Sequence, residues 1–193
     1  MVKIPNIYLV SNSPRRRAMF KFFDISFEPL SLEFDESYKS SKPEDVCMEI
    51  CNKKIDSALC FLGESKVKSS VVVVADTLVF LENKILGKPK NRDDAFDMLQ
   101  KLSGREHTVI SAVGYSIMGK KKTLLEKTVV KFIDLSSSMI ENYLDKEHYM
   151  DKAGSYAIQS EENFFVESIS GSYLNVVGFP MQQFLGDIKK CLK

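Results

Sequence analysis

Short apolar runs alternate with helical patterns along the first half of the chain. The runs at 7–10 and 27–30 predict two strands with a helix between them. Pro43 begins a long helical pattern, and the unbroken apolar run at 71–75 is typical of a central strand buried on both faces. This alternation predicts an α/β fold with a mixed central sheet flanked by helices.

The second half of the chain is richer in predicted strands. The patterns predict a helix capped by Asn91, followed by two long strands at 108–118 and 123–135 with a turn at 119–122. Ser138 and Glu141 have capping-box spacing and predict a short helix. A small lobe of loops and a hairpin at 151–175 and a closing helix from Pro180 complete the chain. Because the 193 residues contain no repeat or low-complexity linker, we expect a single domain over 1–193.

A basic turn follows the first predicted strand. Its sequence from Ser11 to Arg17 is Ser-Asn-Ser-Pro-Arg-Arg-Arg, in which Ser13 suits an N-cap and Pro14 the first helical position. Three cations at this end oppose the helix dipole, and a bound anion would relieve the conflict. We therefore favour a phosphate site, with Ser11 as an additional donor, over a solvated basic turn.

The first long helix carries a lysine on its apolar face. Spacings of four, three and four residues put four side chains on one side of the helix: Cys47, Cys51, Lys54 and Ala58. Lys54 either extends past its apolar neighbours to solvent or delivers a cation to a buried phosphate. Its neighbour Lys53 falls to one side of this face.

An acid follows the predicted central strand. Asp76 comes directly after Ala75, and in open α/β sheets ligands bind beyond the carboxyl ends of the strands. A carboxylate at such a place is costly to desolvate unless a cation meets it. Asp76 is therefore a candidate metal ligand or general base for water, and the alternative is an acid that caps local backbone.

Composition and missing motifs exclude several classes of protein. The formal net charge of +1 argues against general binding to nucleic acid or to membrane surfaces. No apolar stretch approaches the ~20 residues of a membrane span and no signal peptide is evident, so we expect a cytoplasmic protein with reduced cysteines. The chain lacks a P-loop and a Gly-x-Ser-x-Gly elbow, and Leu78 stands where an aspartyl-phosphate phosphatase needs a second acid.

The remaining polar residues suit a polyphosphate and a hard cation. The two histidines, His107 and His148, are too few and too far apart for a histidine metal site, and His107 is more simply interpreted as structural. Carboxylate oxygens come from Glu36 and Asp76, and the accompanying cations are Arg15, Arg16, Lys54 and Lys88. This set favours Mg²⁺ or Mn²⁺ over zinc.

Together these residues resemble the Maf family of nucleoside triphosphate pyrophosphatases, over nearly the whole chain. The matching motifs are, in order, Leu9 to Arg17, Phe34-Asp35-Glu36, Lys54 on the second helix, Ala75-Asp76-Thr77, Gly87-Lys88-Pro89, Leu102 to Arg105 with His107, Asp151 to Gly154, Tyr156 to Gln159, and Asn175 to Pro180. Each motif alone is weak, whereas so many in family order are specific.

The resemblance implies a Maf/ITPase-like fold and hydrolysis of a nucleoside triphosphate between its α- and β-phosphates, releasing a monophosphate and pyrophosphate. Asp76 matches the position of the family's proton acceptor. Arg15, Thr77 and Gln159 match positions linked to substrate choice, and they resemble the branch that prefers dTTP and UTP over 7-methyl-GTP. The resemblance also implies a homodimer, and it implies phosphate or metal contacts for Ser11, Arg16, Glu36, Lys54 and Lys88.

The chain departs from the family pattern in one late loop and in the first motif. Ser155 and Ala157 stand where relatives often carry glycine, and Val10 and Asn12 replace small residues. Because glycine permits backbone angles that serine and alanine resist, we expect the loop with Gln159 to differ in shape. This difference bears on base preference more than on the chemistry.

Two other functions stay open at this point. Maf proteins are associated with septum formation, so a non-enzymatic nucleotide-sensing or cell-division regulatory protein is an alternative. Nucleic-acid binding through Arg15 to Arg17 would give an affinity that falls steeply with salt, and the near-neutral net charge disfavours it. Release of pyrophosphate by the purified protein separates the enzyme from both.

Overall fold

The computed structural model describes residues 5–160 and 164–191. The strands are β1 (Asn6–Val10), β2 (Glu28–Leu30), β3 (Ser70–Leu81), β4 (Lys84–Leu86), β5 (Glu106–Ile117), β6 (Lys120–Phe132) and β7 (Val166–Ser170). The helices are α1 (Pro14–Phe22), α2 (Pro43–Lys68), α3 (Arg92–Leu102), α4 (Ser137–Lys146), α5 (Tyr173–Val177) and α6 (Met181–Cys191), with a 3-10 turn at Ala153–Ser155. Over the described part of the chain, no helix combines the length and apolarity needed to cross a membrane.

Within the described residues the seven strands form one mixed sheet. Its order is β2-β1-β3-β5-β6-β7, and β4 pairs with β3. Strand β1 is parallel to both β2 and β3, whereas the pairs β3–β4 and β6–β7 are antiparallel. Parallel neighbours need crossover connections, and α1 and α2 supply them here. The structure therefore confirms the predicted α/β fold with a mixed sheet.

The described residues divide into two compact units. The first holds 5–76, 111–126 and 178–191, and the second holds 77–110, 127–160 and 164–177. Each of the three long strands β3, β5 and β6 contributes one part to each unit.

In the first unit, α2 packs closely against the sheet at Gly114 of β5. A Cβ atom at this position would lie 3.1 Å from Cβ of Ile55 and 3.1 Å from Cγ2 of Val74, so a larger residue would push helix and strand apart. Cys47 and Cys51 are buried on the same face of α2. Burial raises the pKa of the Cys51 thiol to about 12, so the thiol is protonated at pH 7 and packs as a small apolar group.

In the second unit, aromatic rings surround a buried histidine. His107 packs edge-on against Phe132 and Tyr156, with ring centroids 4.8 Å and 5.4 Å away. Its Nε2 atom lies 2.8 Å from the Tyr156 hydroxyl. Burial lowers the pKa of His107 to about 4, so the imidazole is neutral at pH 7. These surroundings fit the structural interpretation of His107.

The apolar run stops at Asp76, and the interpretation that Leu78 to Leu81 continue the same strand toward a Glu82-Asn83 turn is confirmed. Residues 71–74 are fully buried, as predicted, but β3 continues through Asp76 to Leu81. Residues 79–81 pair with β4 across the Glu82–Asn83 turn, and this pairing keeps the chain extended after the apolar run has stopped.

Several other predicted boundaries shift by a few residues. The cap of α4 is Ser136 rather than Ser138, because the Ser136 hydroxyl accepts the N–H of Met139. The lysines at 120–122 begin β6, since a tight turn at Met118–Gly119 with positive φ joins it to β5. The helical pattern from Pro43 predicts an end near Leu62, whereas α2 extends to Lys68 with a non-helical residue at position 63. In the lobe of loops and a hairpin predicted at 151–175, the strand among the described residues is β7, and it pairs with β6.

Candidate active site

The turn between β1 and α1 is organised around Ser11. The Ser11 hydroxyl accepts the backbone N–H of Ser13 at 3.2 Å and the Nη1 of Arg16 at 3.5 Å. Arg17 donates from Nε and Nη2 to the Ser11 carbonyl at 3.0 Å and 2.7 Å. Helix α1 begins at Pro14, as predicted, although the Ser13 side chain does not cap it. Arg17 thus stabilises the turn itself.

Arg16 connects this turn to the segment before α6 and is coupled electrostatically to two acids. Its Nε donates to the Gly178 carbonyl at 2.8 Å. Burial lowers the pKa of the Arg16 guanidinium, and the carboxylates of Asp76 and Glu36 act in the opposite direction. Arginine stays protonated in proteins, so this group is a fixed positive charge close to both carboxylates.

Lys54 lies buried between these two carboxylates. Its Nζ is 2.6 Å from Oε1 of Glu36 and 2.6 Å from Oδ1 of Asp76. The side chains of Lys54 and Asp76 are 8% and 10% exposed, whereas that of Glu36 is 56% exposed. The inward orientation predicted for Lys54 is confirmed, and the alternative of extension to solvent is wrong. Close ionic hydrogen bonds of this kind offset part of the cost of desolvating two charges.

Only one of the two carboxylate oxygens of Asp76 contacts Lys54. Among the described residues, the buried Oδ2 of Asp76 has no hydrogen-bond partner. A buried carboxylate oxygen without a partner is costly, and a bound ligand would remove that cost.

A divalent cation fits this donor set. Among residues 5–160 and 164–191, no cluster of three or more His, Cys, Asp or Glu residues could hold a metal by itself. Glu36 and Asp76 nevertheless lie close together, because one oxygen of each contacts the Lys54 Nζ. Mg²⁺ is usually held by one or two carboxylates together with substrate phosphates and water, so two protein oxygens suffice when a nucleotide completes the coordination.

The parallel pairing of β1 with β3 explains why the basic turn and the acid lie close together. Leu9 is opposite Val73 in this pairing. Ser11 therefore leaves β1 level with the residue that precedes Asp76. Because β1 ends at Val10 while β3 continues, Asp76 lies just past the carboxyl end of its neighbouring strand, the place where ligands bind in open α/β sheets.

Three further candidates, Thr77, Lys88 and Gln159, belong to the second unit. Thr77 is half-buried on β3, Lys88 is exposed between β4 and α3, and Gln159 is exposed in a turn. The Gly154 N–H donates to the Gly87 carbonyl at 3.0 Å, which ties the segment of Lys88 to the turn that precedes Gln159.

The loop before Gln159 accommodates its departure from the family pattern through backbone strain. Ser155 has a φ of 63°, a left-handed conformation that glycine adopts easily and serine does not. Its hydroxyl contacts the Met98 sulfur at 3.2 Å. The Tyr143 hydroxyl accepts the Ala157 N–H at 3.0 Å. Buried contacts therefore hold the loop in this conformation.

Comparison with known proteins places the chain in a family. The family model of the Maf-like protein matches residues 6–191. This chain belongs to the Maf-like family. A dTTP/UTP pyrophosphatase of Pyrococcus abyssi is 44% identical over 186 residues, covering 95% of this chain and 95% of the relative.

Other Maf-like relatives bear the same name. A dTTP/UTP pyrophosphatase of Carboxydothermus hydrogenoformans is 36% identical over 186 residues, covering 95% of this chain and 97% of the relative. One of Thermosipho africanus is 40% identical over 178 residues, covering 92% and 88%. The family resemblance found in the motifs is thus confirmed.

The sequence analysis of this Maf-like chain did not identify two residues, Glu49 and Lys53, that contact a segment of the candidate site. Glu49 and Lys53 of α2 contact the irregular segment that carries Glu36. Their spacing of four residues indicates a helical ion pair, and the Lys53 Nζ does lie 3.9 Å from Oε1 of Glu49. No sequence pattern shows, however, that the preceding segment folds back over them.

Proposed function

We propose that this protein hydrolyses nucleoside triphosphates to the monophosphate and pyrophosphate, with dTTP and UTP as preferred substrates. The observation that carries the proposal is the buried contact of Lys54 with Oδ1 of Asp76, while Oδ2 of the same acid has no hydrogen-bond partner among the described residues. Arg16 is coupled electrostatically to Asp76 and to Glu36. Membership of the Maf-like family and the names of the relatives support the reaction and the choice of bases.

Asp76 accepts the proton of the attacking water in this proposal. Lys54 holds Oδ1 at 2.6 Å, so Oδ2 is the oxygen that receives the proton. The water oxygen bonds to the α-phosphorus while the bond from that phosphorus to the bridging oxygen breaks. Pyrophosphate leaves with the electron pair of that bond. A positioned general base of this kind typically contributes roughly 10²- to 10⁴-fold in rate.

Cations and donors at the beginning of α1 bind the triphosphate. Ser11, Arg15 and Arg16 supply hydrogen bonds and positive charge there, in addition to the backbone N–H groups of the helix N-terminus. Lys54 and Lys88 are further substrate-binding residues, and Thr77 and Gln159 take part in base choice, as the resemblance implies.

Glu36 and Asp76 are the residues that would hold Mg²⁺ or Mn²⁺. When bound, the cation would supply a Lewis acid that neutralises charge on the phosphates. The contact of both carboxylates with Lys54 and the exposure of Glu36 support this choice of ligands.

We also propose that the chain is one Maf-like nucleotide pyrophosphatase domain over 1–193 that acts in the cytoplasm as a homodimer. The family match over residues 6–191 supports the single domain. The homodimer follows from the family resemblance, and multi-angle light scattering on the purified protein tests it: a single mass near 21.9 kDa would contradict a dimer.

A product assay tests the reaction itself. The purified protein is incubated with each canonical and modified triphosphate in Mg²⁺ or Mn²⁺, and pyrophosphate and orthophosphate are scored separately. In water labelled with a heavy oxygen isotope, attack on the α-phosphorus puts the label in the monophosphate. Orthophosphate as the product, or label in the pyrophosphate, would refute the proposal. Tight nucleotide binding without turnover would favour the nucleotide-sensing alternative.

A further inference from the structure

The carboxylate of Glu36 reaches the candidate site from an irregular loop. Residues 33–42, here called the acidic loop, contain no helix or strand. Ordering such backbone costs conformational entropy at every residue. The contact of Glu36 with Lys54 is made by a half-exposed side chain. Other contacts must therefore hold the acidic loop in place if Glu36 is to stay beside Asp76.

Glu49 of α2 anchors the C-terminal half of the acidic loop. Its carboxylate accepts the backbone N–H of Lys39 at 3.0 Å and that of Ser40 at 3.1 Å. It also accepts the Ser40 hydroxyl at 2.7 Å. These hydrogen bonds, above all the one from the Ser40 hydroxyl, lower the pKa of Glu49. One side chain thus satisfies three donors of a segment that has no ladder of its own.

Lys53, one helical turn later, anchors the middle of the acidic loop. Its Nζ donates to the Ser37 carbonyl at 2.7 Å and to the Ser37 hydroxyl at 2.9 Å. Asp35 braces the same residue, since its carboxylate accepts the Ser37 N–H at 2.9 Å and the Ser37 hydroxyl at 2.7 Å. Glu36 lies in the chain between Asp35 and Ser37, which these hydrogen bonds hold in place. Lys54, the next residue of α2, then meets Glu36.

We propose that Glu49 and Lys53 are positioning residues, which hold the acidic loop on α2 so that Glu36 and Asp76 together form the cation site. This inference rests on the proposed function, because it takes Glu36 as a cation ligand. Neither residue contacts Asp76 in the contacts that the structure gives them. They act through the backbone of the acidic loop. Partners that orient metal ligands in this way commonly change metal affinity by about 10- to 100-fold when removed.

The opposite charges of the two residues separate positioning from electrostatics. If only their charge acts on the cation, removing Glu49 weakens binding and removing Lys53 strengthens it. If they position Glu36, removing either one weakens binding. A matched pair for comparison exists on the same helix, because exposed Glu64 and Lys68 form an ion pair with the same four-residue spacing and contact no part of the acidic loop in the described structure.

The test measures Mn²⁺ binding to the whole protein without nucleotide, from the paramagnetic resonance signal of unbound Mn²⁺. We expect Glu49→Ala and Lys53→Met each to raise the Kd for Mn²⁺ about tenfold. We expect Glu64→Ala and Lys68→Met to stay within about twofold of wild type. Saturating Mn²⁺ should restore kcat for dTTP in the first two variants, and hydrogen exchange at Lys39 and Ser40 should be faster in Glu49→Ala.

Each other outcome decides a different question. Tighter Mn²⁺ binding by Lys53→Met, or wild-type binding by both variants, overturns the inference and leaves the proposed hydrolysis intact. Wild-type protein that hydrolyses dTTP but binds no Mn²⁺ removes Glu36 as a ligand and the inference with it. Wild-type protein that binds Mn²⁺ but hydrolyses no nucleotide refutes the proposed function alone.

Discussion

Replacing Lys54 with methionine tests whether its amine neutralises the buried carboxylate of Asp76. Methionine keeps most of the aliphatic volume and removes the charge. Asp76 then loses its hydrogen bond at 2.6 Å, and its side chain is only 10% exposed. Breaking a buried pair in this way typically costs about 3–5 kcal/mol. Because Arg16 also acts on Asp76, we expect the lower end of that range, about 3 kcal/mol.

Urea unfolding at pH 7 measures this cost, with two further variants as references. Lys53→Met removes a lysine that is 38% exposed, and we expect it to cost less than about 1 kcal/mol. The double variant Lys54→Met/Asp76→Asn no longer contains the uncompensated charge. It should be more stable than Lys54→Met by about 2 kcal/mol, which corresponds to a large coupling between the two residues.

Activity separates stability from chemistry in the same variants. Lys54→Met should lower turnover more than Lys53→Met does when Mn²⁺ is saturating. The double variant should regain stability without regaining activity, since Asp76 is the proposed proton acceptor. Equal losses of stability at positions 53 and 54, or strictly additive losses in the double variant, would refute the argument from the buried ion pair.

Three other predictions concern single sites. Asp76→Asn should lower kcat by roughly 10²- to 10⁴-fold and leave the fold intact, which steady-state kinetics and circular dichroism check, with Asp56→Asn as the exposed control. The imidazole of His107 binds a proton more readily in the unfolded chain than in the folded one, so the free energy of unfolding should fall as the pH drops from about 6.5 to 4, by up to about 3 kcal/mol. Urea unfolding should therefore depend less on pH in His107→Gln than in His148→Gln. Ser155→Gly relieves the left-handed strain that Ser155→Ala keeps, so thermal unfolding should find the glycine variant more stable by about 1 kcal/mol.

Each of these has an outcome that contradicts it. Near-normal turnover in Asp76→Asn would remove that acid from the mechanism. Parallel pH profiles for the two histidine variants would mean that the buried imidazole costs nothing to protonate. A glycine variant no more stable than the alanine variant would show that Ser155 carries no strain.

Helical and strand periodicity predicted which elements carry Lys54 and Asp76 and that Lys54 lies on a buried helix face. The spacing of Cys47, Cys51 and Lys54 identified the buried face of α2, because a helix places such positions on one side whatever packs against it. The apolar run before Asp76 identified the central strand for a similar reason.

Long-range partners could not be obtained in the same way. Nothing in the sequence shows that Arg17 binds the Ser11 carbonyl or that Glu49 binds the backbone of residues 39 and 40. Such contacts depend on which residues of a helix an irregular segment packs against, and the spacing of apolar and polar residues carries no information about that. The continuation of β3 past Asp76 could only be left open from the sequence, because pairing with β4, rather than hydrophobic pattern, maintains it.

The two candidate ligands of the cation differ in how firmly the fold holds them. Asp76 belongs to a strand of twelve residues, whereas Glu36 belongs to the acidic loop, whose residues 37, 39 and 40 are held on α2 by the side chains of Glu49 and Lys53. Strands inside a sheet open only with most of the molecule, and segments held by a few side chains open locally at lower free energy. Gradual heating should therefore abolish Mn²⁺ capture at a temperature where the sheet is still intact. The upper limit of the protein's working range would then be set by one short segment rather than by its core.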